Sequence, residues 1–110
     1  MVMGNSEAVI RGTSIMQNGY NGISINTKRR VNIEHSHISD SIWDGITIKN
    51  PKAQVVLYNN KIYSNKGFGI YFEIPLSKTK KKKTETDFSN LMDCENTVYE
   101  NKKGSRNYEQ

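Results

Sequence analysis

Apolar and polar residues alternate along short segments of this chain, and the segments recur. Asn21-Gly22-Ile23-Ser24-Ile25, Asp44-Gly45-Ile46-Thr47-Ile48 and Phe68-Gly69-Ile70-Tyr71-Phe72 are one five-residue unit repeated, with glycines 23 and then 24 residues apart. A second unit keeps step with the first. Ala8, Val9 and Ile10 align with Val31, Asn32 and Ile33 and with Val55, Val56 and Leu57, and Ile15, Ile38 and Ile62 follow at constant offset. Gly12, His35 and Asn59 share one position of the repeat, and Asn18, Ser41 and Asn65 share another. The turns agree as well, since Pro51 and Pro75 are 24 apart and Lys28 stands at the equivalent place one repeat earlier.

Alternation of the kind Ile23, Ser24, Ile25 or Val31, Asn32, Ile33 is the period-2 pattern of a half-buried strand, and no window sustains helical spacing. Strands this short, recurring at a fixed interval, fit a coil in which each turn returns the chain one strand spacing higher, about 4.8 Å. The pattern therefore predicts an all-β chain, a parallel β-helix of about three rungs. It places Ile23, Ile25, Val31, Ile33, Ile38, Ile46, Ile48, Val55, Leu57, Ile62, Ile70 and Phe72 inside and Ser24, Thr47 and Tyr71 outside. A slip of one residue would exchange the two sets, so burial specifies the register. The glycine before each Ile-x-Ile unit suits a bend with positive φ or a close approach of backbone. The Asn18, Ser41, Asn65 column is expected to turn inward and bond turn backbone.

The pattern divides the chain into rungs over 1–75, a lysine-rich insert over 76–90, and a degenerate rung with a polar tail over 91–110. The last assignment rests on Asn96-Thr97-Val98-Tyr99-Glu100-Asn101-Lys102, which resembles Asn60-Lys61-Ile62-Tyr63-Ser64-Asn65-Lys66 at an offset of 36, one rung plus about twelve residues. Asp93 breaks this fourth rung, since it falls where Leu57 would put an apolar side chain. From Lys102 the chain is polar, with no further Gly-Ile unit, and it begins partway through a rung. Uncapped ends expose strand edges, so a longer parent chain carrying further rungs is expected.

Composition changes this picture little. The chain of 110 residues is 35% hydrophobic, enough for one modest core. Its formal charge of +5 comes from a local run, because Lys78, Lys80, Lys81, Lys82 and Lys83 are five of sixteen bases and the remaining eleven face eleven acids. A broad nucleic-acid face is therefore not expected. The run itself reads as an accessible partner-binding segment, a nuclear-import signal, or a solvated loop. With a single cysteine, Cys94, no internal disulfide can form, and with no signal segment or membrane-spanning apolar run an intracellular protein is expected.

The Asn/Asp-Gly-Ile-x-Ile units with their Ile-x-x-Asn/Ser columns resemble the right-handed parallel β-helix repeat of pectate-lyase-like enzymes and of intracellular, non-enzymatic β-helix proteins. Within the second group, the interrupted last rung and the lysine-rich insert resemble the Shc-binding protein family and its spindle-associated relative. That resemblance implies an adaptor in signalling, cytokinesis or the spindle, located in the cytoplasm or on the cytoskeleton, with the nucleus as a further site.

Chemistry is sparse. Sugar-cleaving β-helices need clustered carboxylates, whereas the outward columns Ser24, Thr47, Tyr71 and Asn26, Lys49, Glu73 hold one. No catalytic residue, metal or cofactor is expected. His35 reads as a turn residue equivalent to Asn59 and His37 as an exposed one equivalent to Lys61, and Cys94, with no base beside it, reads as a buried or idle thiol. Tyr20 and Trp43, each two residues before a repeat glycine, form either a structural stack at a corner or a binding strip for a partner or a sugar. The functional expectation is a non-catalytic scaffold for protein partners, with a carbohydrate-binding or polysaccharide-cleaving β-helix and targeting through the lysine run as the alternatives.

Overall fold

The computed structural model describes residues 2–4, 7–17, 19–50, 53–73 and 91–107. Its strands form three parallel sheets, and each rung contributes one strand to each sheet. The first sheet runs β1 (Val2–Gly4), β4 (Ile23–Thr27), β7 (Ile46–Ile48), β10 (Phe68–Phe72), β13 (Gly104–Arg106). The second runs β2 (Ala8–Arg11), β5 (Arg30–Glu34), β8 (Gln54–Tyr58), β11 (Leu91–Cys94), and the third β3 (Ser14–Met16), β6 (His37–Ser39), β9 (Lys61–Tyr63), β12 (Thr97–Tyr99). Pairing follows the repeat: Ile23 lies against Ile46 and Ile46 against Ile70, while Ile10, Ile33 and Leu57 align in the second sheet.

Every residue expected inside is buried, at 0–3% exposure, and Ala53 joins them. Because equivalent side chains stack at one strand spacing, each β-branched residue fills the space above its copy in the rung below. Removing one such side chain from water contributes about 1.5–3 kcal/mol. Ser24 and Tyr71 lie half-buried on the outer face as expected, but Thr47 is buried at 5% exposure, with its Oγ1 donating to Asp44 Oδ2 at 3.1 Å.

Parallel strands satisfy their own backbones, and the corners between them need other partners. Three polar columns provide these. Asn60 Oδ1 accepts from Ser36 N at 3.0 Å and Asn96 Oδ1 from Asn60 N at 2.9 Å. At the next corner Asn65 Oδ1 accepts from Ser41 N and Asn101 Oδ1 from Asn65 N. The inward turn expected for Ser41 and Asn65 is thus observed, both being 1% exposed, while Asn18 lies outside the described residues. At the third corner Asn21 Oδ1 accepts from Asp44 N and Asp44 Oδ1 from Phe68 N at 2.7 Å.

Two turns of each rung hold a residue in the left-handed region. Gly12, His35, Asn59 and Glu95 have φ of 51–60°, and Gln17, Asp40, Ser64 and Glu100 of 54–59°. The repeat glycines, in contrast, serve close approach rather than positive φ. A Cβ on Gly45 would lie 2.6 Å from Ile62 Cγ2 and 2.7 Å from the Gly69 carbonyl oxygen.

The fourth rung forms with the offset of 36, Leu91 pairing Val55 and Thr97 pairing Lys61. It also extends further than the polar pattern indicates, because Gly104–Arg106, expected as tail, is a strand on the first sheet. Asp93 explains why. It stands in register with Leu57 and Arg106 with Ile70, so both occupy positions that are apolar in the rung before. Their side chains pair across the end of the core, Arg106 Nη2 lying 3.1 Å from Asp93 Oδ1. They are 17% and 4% exposed respectively. Neither change reads as a strand residue alone; together they cancel. Asn107 completes the rung, donating to Phe72 O at 2.9 Å and accepting from Phe72 N at 2.7 Å.

Two stability measurements follow from this geometry. Gly45→Ala should cost about 1–3 kcal/mol in urea unfolding, since the backbone of the next rung cannot retreat. Gly19→Ala, with nothing within 4 Å of the added atom, should fall within about 0.5 kcal/mol of wild type. Asp93→Leu or Arg106→Ile alone should cost about 3–5 kcal/mol by removing one partner of a largely buried ion pair. The double variant should return to within about 1 kcal/mol of wild type, and a double variant weaker than both singles would refute the compensation.

Candidate binding surface

Tyr20 and Trp43 occupy equivalent positions, as their spacing implies, with Trp43 N donating to Tyr20 O at 3.1 Å. Their rings meet edge to face, centroids 5.0 Å apart and planes at 76°. The pair stacks at the corner in the open: Tyr20 is 67% exposed, Trp43 54%, and Ile42 beside them 50%. Three large apolar side chains therefore share one surface, a location that favours contact with another molecule.

The column continues upward. Gly67 N donates to Trp43 O and Lys103 N to Gly67 O, so one position of the repeat reads Tyr20, Trp43, Gly67, Lys103. The adjacent column holds Ile42 and Lys66, with Lys66 N donating to Ser41 O. At the third rung the bulky residue gives way to glycine, and beside it lies a concavity of about 330 Å³ bordered by Ile42, Trp43, Lys66, Phe68, Tyr71 and Lys103. A second concavity of about 320 Å³ lies on the other side of Trp43, against Tyr20, Ser24 and Lys49. Gly67 keeps its form because a side chain there would collide with the Trp43 backbone and the Asp44 carboxylate.

The charge of this region is positive. Lys66 and Lys103 are exposed on its walls. Asp44, the acid that borders it, has one oxygen on Phe68 N and the other on Thr47 Oγ1, so its charge is held in the corner. Phe68 and Tyr71 form the far wall, ring centroids 5.7 Å apart. Lys66, Lys103 and Ile42 escape notice in the sequence because each looks like ordinary turn polarity or a stray hydrophobe. The gap in the Tyr20, Trp43 column at Gly67 is the signal that would have found them.

Elsewhere the expected residues behave differently. His35 Nδ1 lies 2.9 Å from Asn59 Nδ2 in the left-handed turn, and His37 packs its ring edge-on against Tyr63 at 6.4 Å. Cys94 is exposed rather than buried. Among the described residues no three of His, Cys, Asp and Glu gather as a metal site would require, and no helix is long and apolar enough to cross a membrane. Glu34 is bound to Arg11 at 3.1 Å and Asp93 to Arg106. Lys78, Lys80, Lys81, Lys82 and Lys83 lie outside the described residues.

No curated protein and no solved structure matches the chain. A family match covers residues 1–108 and is described as a right handed beta helix region. With the three stacked parallel sheets and their repeat register, it establishes that this chain belongs to the right-handed β-helix family.

Proposed function

We propose that this β-helix is a non-catalytic scaffold that binds protein partners through the corner centred on Trp43. The observation that carries the reading is the contiguous exposure of Tyr20, Ile42 and Trp43 beside lysines. Aromatic side chains exposed in a concave setting are the usual anchors of protein contacts, where they bury large area at little entropic cost. The outer face of the first sheet supports the non-catalytic part, since its columns carry one carboxylate, Glu73, where glycoside cleavage uses a pair. The resemblance to the Shc-binding family extends the proposal to an intracellular adaptor in signalling, cytokinesis or the spindle.

A photo-crosslinking residue in place of Tyr20 tests this directly. It should form protein adducts that vanish when Trp43→Ala is added, while a panel of polyuronides yields neither new reducing ends nor unsaturated products. Turnover of any polyuronide would overturn the scaffold reading, and adducts indifferent to Trp43 would remove the corner from it.

A further inference from the structure

We infer that the concavity beside Trp43, lined by aromatic rings and rimmed by lysines, receives one aromatic side chain of an acidic protein segment, an inference that rests on the scaffold reading and specifies its partner's chemistry. Trp43 borders the concavity on one side and Lys103, two rungs on in the same column, on the other. Two strand spacings give roughly 9–10 Å between those backbones. That height admits one ring stacked against the indole at an ordinary centroid distance of about 4.5–7 Å. Phe68 and Tyr71 close the far wall.

The walls select charge. Lys66 and Lys103 stand exposed at the rim, and the Asp44 carboxylate is turned to Phe68 N and Thr47 Oγ1 rather than to the opening. Carboxylates flanking the inserted ring would meet both ammonium groups without leaving water, the regime in which rim charges aid selection and association more than raw affinity. A sugar chain fits less well. A polysaccharide laid along the corner would need ring faces offered in succession, whereas Tyr20 lies at 76° to Trp43 and the next position is glycine. A side chain on a stem enters end-on and needs one slot.

Trp43 is the single tryptophan of the chain, so its emission reports occupancy. The probe is a blocked pentapeptide with phenylalanine between two glutamate pairs, compared with the same peptide carrying alanine at its centre and with trigalacturonate. The phenylalanine peptide should change the emission saturably, and the alanine peptide should bind at least about tenfold more weakly. With a dye-labelled peptide followed by anisotropy, Trp43→Ala should weaken binding about tenfold or more. Lys66→Gln and Lys103→Gln should each weaken it about threefold, an effect that shrinks in high salt. Equal binding of the two peptides, or saturable binding of trigalacturonate in preference to either, would overturn the inference. If neither peptide binds but the Trp43-dependent protein adducts persist, the acidic aromatic partner is wrong and the scaffold reading stands. Polyuronide turnover would instead remove both.

Discussion

Parallel pairing between equivalent residues of successive rungs is the constraint on which everything else in this molecule rests. Each strand finds its hydrogen-bonding partners one turn away along the chain, so whatever residue type occupies a position must tolerate a copy of that position about 4.8 Å above and below. Isoleucine and valine tolerate it well, because identical branched side chains nest. Glycine is imposed where the coil turns into the first sheet, since the carbonyl of the next rung lies where a Cβ would be. The core is a column rather than a sphere, and its interior is sealed rung by rung.

The same constraint makes polar side chains as structural as apolar ones. A corner amide left without a partner inside the coil would cost about 1–3 kcal/mol, and asparagine supplies both acceptor and donor within reach of two rungs at once. Asn60 shows the economy of this arrangement, accepting from Ser36 N while its amide donates to Ile33 O and to Asn96 Oδ1. At the fourth rung the logic shifts from repetition to compensation. Asp93 and Arg106 abandon the apolar pattern together, and a pair of opposite charges fills the place of two hydrocarbon side chains.

Much of the architecture could be read directly from residue order, because the inward columns repeat a residue type at a fixed interval and burial leaves one register consistent with it. Strand pairing between Thr97 and Lys61 was legible for the same reason, through the match of Asn96 with Asn60. The strand at Gly104–Arg106 was not, since a charged residue at an interior position is recognisable only when its partner, thirteen residues earlier, is known to lie opposite. The exposed corner around Trp43 was half legible. Tyr20 and Trp43 stand out by their spacing, but the concavity beside them is also bordered by Ile42, Lys66 and Lys103, which the spacing of aromatic residues does not mark.

Between Val55 and Leu91 the chain travels 36 residues to complete a circuit that takes 24 between Val31 and Val55, yet both circuits end in the same register. The added length falls between the first-sheet strand Phe68–Phe72 and the second-sheet strand Leu91–Cys94. Loop closure grows so slowly with length that doubling a loop costs only about 0.6 kcal/mol. A coil paired in this way fixes the register of its rungs while leaving the number of residues between two strands free to vary, 24 in one circuit and 36 in the next.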